Sequence, residues 1–382
     1  MRLAVYTDYE YRSDGVHRYG QRAFVVFLEA LRPHVDRLVL VGRLDPQPGR
    51  SHYQLHEDTE LVGLPHYTSL ARPWSVIRSL FASIRRFWRL LDEVDTVWVL
   101  GPYPHSVVFA LITALRGRRL VLGVRQDTRA YIRSRRPHQR WMHVAADLLE
   151  GVWGLLARRH AIVVVGQELE RKYSRARDVL AINVSLVHEQ DVVSPEVPGA
   201  RSYENELTVL TVGRLDAEKN PLLLAEILAL LQAREPRWRL VVCGDGPMMP
   251  QLRARLSELG LLDRVELRGY VAIDGGLLQL YRDSHMFLHV SWTEGFPQVL
   301  IEAFAAGLPT VATAVGGVPA AAEGAALLVE PGDAEAAADA LWRLAVDGEL
   351  RQRLVGVALE RSRGCTLEAE SERLAQFIEA AS

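Results

Sequence analysis

Cysteine is nearly absent from this chain of 382 residues: Cys243 and Cys365 stand far apart with no metal-ligand spacing. That excludes a disulfide or zinc framework and fits buried thiols in a reducing cytoplasm. No apolar run approaches membrane-spanning length, because Ala145 to Ala157 is interrupted by Asp147 and Glu150. Met1-Arg2 leads directly into a strand-like run with no apolar signal stretch. The expected location is cytoplasmic, with peripheral contact at the inner face of a membrane left open. A G-x-G-x-x-G loop is also missing after the first strand, where the chain reads Thr7-Asp8-Tyr9-Glu10-Tyr11, so a dinucleotide-dependent dehydrogenase is discarded. No D-x-D follows a strand, since Asp92-Glu93-Val94-Asp95 precedes one, and no metal is expected. No cofactor and no nucleic-acid partner are expected either. Lysine is the scarcest charged residue: the 45 basic residues include only Lys172 and Lys219.

The length favours two cores, and the 49% hydrophobic content supplies both. The net charge of −2 conceals an asymmetry. Residues 1–190 carry 28 basic and 19 acidic side chains, and the remainder carries 17 and 28. Much of the basic excess lies in Arg116 to Arg140 and in Arg72 to Glu93, where Trp74, Ile77, Leu80, Phe81, Ile84, Phe87, Trp88 and Leu91 recur at helical spacing. A basic amphipathic helix can lie on an anionic membrane, but the preferred expectation is an ordinary helix with its apolar face against a sheet.

Strand and helix signals alternate along the whole chain. Leu3 to Thr7, Leu38 to Val41, Thr96 to Leu100, Leu120 to Val124 and Ala161 to Val165 read as buried strands, with helices such as Gly20 to Leu31 and Ser106 to Leu115 between them. A breaker-rich stretch at 194–204 reads as a linker. The alternation then restarts with strands at Leu207 to Val212, Leu240 to Cys243, Val265 to Leu267, Phe287 to Val290, Thr310 to Ala312 and Ala326 to Val329. This predicts two doubly wound α/β domains, at 1–193 and 205–364, and a last helix within 365–382. Ligands in such sheets bind outside the carboxyl ends of the strands.

Two constellations carry chemistry. Glu294 and Glu302 lie among Phe296, Pro297, Val299, Leu300 and Ile301, and carboxylates in apolar company need partners such as sugar hydroxyls. Gly295 and Pro297 break the chain, so Glu294 sits at a strand end and Glu302 inside the next helix. Free N–H groups near Gln298 and Val299 would point at a phosphate between the two acids. The second constellation is Gly213-Arg214-Leu215-Asp216-Ala217-Glu218-Lys219-Asn220, directly after a strand. Gly213 lets backbone approach a ligand, and Arg214 with Lys219 can meet one diphosphate. A solvated helix start capped at Asn220-Pro221 is the plainer reading of that segment alone.

These two segments, together with Cys243-Gly244-Asp245-Gly246-Pro247 and Ala306-Gly307-Leu308-Pro309-Thr310-Val311, resemble in order the retaining glycosyltransferases of family 4. The resemblance implies the GT-B fold: two facing Rossmann-like domains, the second holding the nucleotide sugar and the first the acceptor, with the last helix crossing back. It implies that Arg214 and Lys219 hold the donor diphosphate, Glu294 contacts the sugar and Glu302 takes the ribose hydroxyls. Gly213, Gly244, Gly295 and backbone at Phe296, Pro297, Gln298, Val299 and Leu300 would line the donor, and Tyr270-Val271 would border the base. The first domain matches less well. Where relatives begin with a Gly-Gly loop, this chain keeps only Gly15 in Ser13-Asp14-Gly15-Val16. Where many relatives carry a histidine after a strand, it reads Arg125-Gln126-Asp127. Arg125 would add positive charge at the reacting centre and Asp127 would orient an acceptor hydroxyl; a loop ion pair is the alternative for both. Histidines 17, 105 and 138 read as loop or surface residues rather than bases. The expected activity is transfer of a hexosyl group from a nucleoside diphosphate sugar to a glycan, a lipid-linked saccharide or a small metabolite. A nucleotide-sugar-binding protein without chemistry is the alternative.

Overall fold

The structure, a computed structural model, describes residues 1–67, 71–135 and 138–381. Ser382, the end of the expected last helix, and Arg136 of the basic run lie outside them. The chain divides into two compact units: Met1–Val184 joined by the residues from Glu370 onward, and Ser185–Ala369.

In the first unit the strands are β1 (Arg2–Ser13), β2 (Arg18–Gly20), β3 (Arg37–Leu44), β4 (Tyr53–Gln54), β5 (Glu60–Leu64), β6 (Thr96–Gly101), β7 (Arg119–Val124), β8 (Ala161–Val165) and β9 (Val179–Ile182). Seven of them form a parallel ladder ordered β5-β3-β1-β6-β7-β8-β9, and β2 and β4 add antiparallel to the far end of β1. The strand direction of growth reverses between β3 and β6 on either side of β1, which makes the carboxyl end of β1 the switch point of the sheet.

The second unit has β10 (Leu207–Val212), β11 (Trp238–Cys243), β12 (Val265–Gly269), β13 (Met286–His289), β14 (Thr310–Thr313) and β15 (Ala326–Val329), all parallel, ordered β12-β11-β10-β13-β14-β15. Alternation along each strand feeds two cores. On β11, Trp238, Leu240 and Val242 join one cluster while Val241 and Cys243 join the other. Helices Leu222–Arg234 and Ala334–Val346 cover the first face, and Gln298–Ala305 covers the second. Cys243 is buried there, and burial pushes its thiol up to about 11.

Residues 185–204 belong to the second unit instead of ending the first domain and forming a free linker. Val187 lies in that unit's core and accepts from the Leu367 N–H at 2.8 Å, and the Val193 N–H donates to Ala305 O at 2.8 Å. Within the expected linker, Glu196–Gly199 is a helical turn, and Arg201 donates to Gly307 O at 2.8 Å. The helix Leu367–Ala380 leaves the second unit near Ala369, and Leu374 and Ile378 are buried in the first, where Arg373 donates to Ala181 O at 2.8 Å.

Candidate functional site

The switch point of the second sheet lies between β10 and β13, and both chemical constellations leave from it. After β10 the chain enters Gly213-Arg214 and a short turn, Ala217–Lys219, that ends in left-handed Asn220 at φ 49°. After β13 comes Val290 to Pro297, and then the helix Gln298–Ala305. The Trp292 N–H donates to Glu218 O at 2.9 Å and ties the two segments together. Between them is a cavity of about 300 Å³ lined by Gly213, Arg214, Lys219, His289, Glu294 and the Phe296–Val299 turn.

Glu294 is the hub. Its Oε1 accepts from Lys219 Nζ and from Ser291 Oγ at 3.0 Å, and His289 Nε2 lies 3.0 Å away. Burial pushes this carboxyl up, but His289 and Lys219 outweigh it and hold the group at about 2. The acid is therefore ionised at any physiological pH. Its side chain is 9% exposed and that of Lys219 22%, so the pair is shielded from solvent screening. Arg214 is different: at 60% exposure it pairs with Asp216 and with Glu218 at 2.7 Å, acids of its own segment. Both cations are thus held by carboxylates, and an entering diphosphate would have to draw them away.

The helix end is less open than the sequence implies. The Gln298 N–H donates to Phe296 O at 3.1 Å and the Leu300 N–H to Pro297 O at 3.0 Å. Pro297, at ψ 84°, is not helical, so the chain closes a tight turn that consumes these donors. The Val299 N–H is left without an acceptor among the described residues, and Val299 lines the cavity. Leu300 does not; its side chain is fully buried in the core.

Glu302 lies one turn deeper and accepts from Tyr281 Oη at 2.8 Å. Burial raises its carboxyl above the usual glutamate range, partly offset by that hydrogen bond. It is not in the wall of the cavity, nor are Gly244, Tyr270, Val271 and Gly295. Gly244 instead lets strand ends converge. It has φ +145°, a Cβ there would meet Gly213 O at 1.8 Å, and its N–H donates to Gly269 O at 2.7 Å. Tyr270 is 67% exposed. If Glu302 takes the ribose diol it must be ionised, so nucleoside diphosphate affinity is expected to fall as pH drops through its raised pKa, beginning above the usual glutamate value of 4.5. Glu302→Gln is expected to bind more weakly at neutral pH and to flatten that profile; a calorimetric titration across pH checks both.

Sequence reasoning missed four contributors. His289 and Ser291 looked like ordinary strand-end residues, though a histidine closing an otherwise apolar strand was a usable signal. Gly316 and Gly317, after β14, carried no marker that they touch this loop. A Cβ on Gly316 would meet Glu294 O at 1.9 Å and one on Gly317 would meet Gly295 O at 2.0 Å, so the Glu294 loop rests on bare backbone.

The candidates in the first unit are arranged differently from the expectation. Strand β1 continues past Thr7 to Ser13, and Gly15, at φ +97°, sits in the turn of a β1–β2 hairpin. Asp14 accepts there from the Val16 and His17 N–H groups at 3.1 and 2.8 Å, so the segment is a hairpin turn rather than a phosphate loop. Asp127 is a fully engaged capping residue: it accepts from the Ala130 N–H at 3.0 Å and from Lys172 Nζ at 2.9 Å. Burial raises that carboxyl, but these partners prevail and hold it below the usual range. The loop ion pair, not a free acceptor ligand, describes Asp127 in this structure. Arg125 has no carboxylate partner among the described residues. Its guanidinium lies over Phe24 at 4.0 Å and Tyr9 at 5.5 Å, and burial lowers its pKa to about 10. It lines a small recess with Asp8, at the middle of β1, and Tyr103, after β6. His105 is buried, 3.2 Å from Ser79 Oγ, and burial lowers it to about 4; His138 is exposed.

Among the described residues no helix is long and apolar enough to cross a membrane. Residues 196–360 match the family described as Glycosyl transferases group 1. The chain is 37% identical over 120 residues to the phosphatidylinositol N-acetylglucosaminyltransferase gpi3 subunit of Schizosaccharomyces pombe, covering 31% of this chain and 26% of that protein. It is 35% identical over 178 residues to D-inositol 3-phosphate glycosyltransferase of Corynebacterium glutamicum, covering 44% and 42%. The matched part therefore spans between a quarter and a half of these relatives. In fold, the chain is similar to Anabaena Alr3699/HepE solved in complex with UDP, with a TM-score of 0.72 at 17% identity and full coverage of both chains. It is also similar to WaaG, a glycosyltransferase involved in lipopolysaccharide biosynthesis, with a TM-score of 0.68 at 17% identity, covering 99% of this chain and 100% of that one. The fold is GT-B, with two Rossmann-like units.

Proposed function

We propose that this protein, whose residues 196–360 match the family described as Glycosyl transferases group 1, is a glycosyltransferase moving a hexosyl group from a nucleoside diphosphate sugar to an acceptor hydroxyl with retained configuration. The observation that carries this reading is the partly buried Lys219–Glu294 pair in the wall of a cavity at the switch point of the second sheet. Lys219 and Arg214 would neutralise the diphosphate, aided by the Val299 N–H. Glu294 would hold the sugar hydroxyls, with His289 and Ser291 fixing its orientation. Glu302 would receive the ribose.

In the transfer, the bond from the anomeric carbon to the diphosphate oxygen breaks and a bond to the acceptor oxygen forms on the same face. The acceptor proton passes to the departing diphosphate, so no protein base is required. Positive charge from Lys219 and Arg214 stabilises the leaving group as it develops. With two cations at this position and no D-x-D motif, the reading needs no metal ion. The first unit would hold the acceptor, a glycan, lipid-linked saccharide or small molecule, with Arg125 offering a cation without a carboxylate partner at the end of β7. The similarity to a D-inositol 3-phosphate glycosyltransferase and to a phosphatidylinositol N-acetylglucosaminyltransferase subunit supports an acceptor bearing phosphate.

A second reading, donor binding without transfer, is favoured by one observation. The Arg125–Asp127 loop has no histidine, and Asp127 is consumed by Lys172 and its own helix. Incubation with uridine and guanosine diphosphate hexoses and a panel of hydroxyl acceptors separates the two. The expected result is released nucleoside diphosphate and a product whose anomeric proton coupling matches that of the donor. Inverted product would overturn retention, and binding without any product would leave the second reading.

A further inference from the structure

Three helices cover one face of the first unit's sheet and pack side by side: Pro73–Leu90, Pro104–Leu115 and Arg140–Ala157. They share a core that contains Phe87, Phe109, Ile112 and Trp153, with Phe87 stacked on Phe109 at 4.1 Å. The helix Pro73–Leu90 was expected to turn its apolar face to the sheet, and it does so only in part. Its buried positions are Val76, Ser79, Ser83, Phe87 and Leu90, and the two serines satisfy themselves on Pro65 O at 2.7 Å and Ser79 O at 2.6 Å. Its largest side chains face out: Trp74 is 78% exposed, Phe81 72% and Trp88 43%. The neighbouring helices continue the pattern, with Leu115 82%, Leu148 66% and Leu155 62% exposed. A helix layer with apolar residues on both sides is built to be covered twice, and an apolar surface extending over several elements marks an interaction site.

Charge says what covers it. The helix Pro73–Leu90 contains no acid, and Arg78, Arg85 and Arg89 are exposed beside the aromatic residues. The two acids of Arg140–Ala157 are already neutralised, Asp147 by Arg129 at 3.1 Å and Arg133 at 3.2 Å, Glu150 by Lys172 at 2.7 Å. Exposed Arg158 and Arg159 follow at its end. A second copy docked through the same face would set arginine against arginine. Lipid phosphates would instead pair with the arginines, while tryptophan and phenylalanine settle at the headgroup boundary.

We propose that this three-helix face docks on an anionic lipid bilayer, with Trp74, Phe81 and Trp88 in the headgroup boundary and Arg78, Arg85 and Arg89 on the lipid phosphates. The face is made by the first unit alone, so vesicle binding and donor binding can be read separately, and either can fail without the other. The test is sedimentation of the full chain with vesicles of phosphatidylcholine and of phosphatidylcholine containing phosphatidylglycerol. Binding is expected only to the anionic vesicles and should be released by salt. Arg78→Ala, Arg85→Ala and Arg89→Ala should each lower partitioning roughly fivefold, and Trp74→Ser with Phe81→Ser should abolish most of it. These side chains are exposed, and an unchanged far-ultraviolet circular dichroism spectrum and thermal transition confirm that the variants are folded. Equal binding to both vesicle types, or binding to neither, would overturn the proposal. So would a dimer in sedimentation velocity that Phe81→Ser dissociates, which would make a second copy the occupant.

Discussion

Lys219→Ala is expected to weaken uridine or guanosine diphosphate binding by about 30-fold, the loss of one charge-assisted hydrogen bond worth about 2 kcal/mol. It should also destabilise the fold. The lysine leaves behind a Glu294 carboxylate only 9% exposed, and removing one partner of a buried pair costs on the order of 3 kcal/mol. His289 and Ser291 remain on that carboxylate and reduce the penalty. The folded-state pKa of Glu294 is depressed, so the stabilisation from its partners is present above the unfolded value of 4.5 and disappears as pH falls through about 2. The difference in stability between wild type and Lys219→Ala should therefore persist at neutral pH and shrink in acid. Lys219→Ala/Glu294→Ala should recover part of the lost stability but none of the lost affinity, because removing both partners leaves no orphaned charge. Denaturant titration and calorimetry on wild type, Lys219→Ala, Glu294→Ala and the double variant measure both quantities; additive losses in stability would show that the pair is not coupled.

Glu294→Gln is expected to lower kcat by about 100-fold while changing KM for the donor much less. A charged hydrogen-bond acceptor on the sugar contributes about 1.5–3 kcal/mol, and its loss acts on the reacting group rather than on the nucleotide. Glutamine keeps the shape of the side chain, so the cavity and the Ser291 contact survive. What goes is the charge that Lys219 and His289 surround. Glu294→Ala should be slower still and, unlike the glutamine variant, should also disturb Lys219 and hence donor binding. A variant that raises KM with kcat intact would place Glu294 on the nucleotide rather than on the sugar. Because Lys219 and Glu294 touch, their effects on binding and turnover cannot be fully separate, a coupling that two separate sequence motifs do not reveal.

The parallel sheets were legible because buried strands such as Ala161–Val165 and Leu207–Val212 are continuous β-branched and leucine runs. Strands β5 and β9 were not seen, since Glu60–Leu64 and Val179–Ile182 are edge or near-edge segments with mixed burial and no strong period. The hairpin extending β1 was hidden because Tyr9 to Ser13 is polar and its pairing with β2 is decided by the Asp14 turn. In the site, Lys219 and Glu294 were found by composition and context, 75 residues apart, and they meet because β10 and β13 are neighbours. Gly316 and Gly317 could not be found in that way. Their contribution is a missing Cβ against a distant carbonyl, which leaves no local trace in sequence. The outward placement of Trp74, Phe81 and Trp88 was equally opaque, because helical spacing identifies a stripe but not which of its residues meet the sheet.

A structure of the protein with uridine diphosphate bound decides whether the Lys219–Glu294 cavity is the donor site. The diphosphate is expected in the cavity between β10 and β13, with Lys219 Nζ drawn from Glu294 onto its oxygens, Arg214 released from Asp216 and Glu218, and the Val299 N–H within hydrogen-bond distance. A nucleotide bound elsewhere, with the Lys219–Glu294 pair intact, would contradict it.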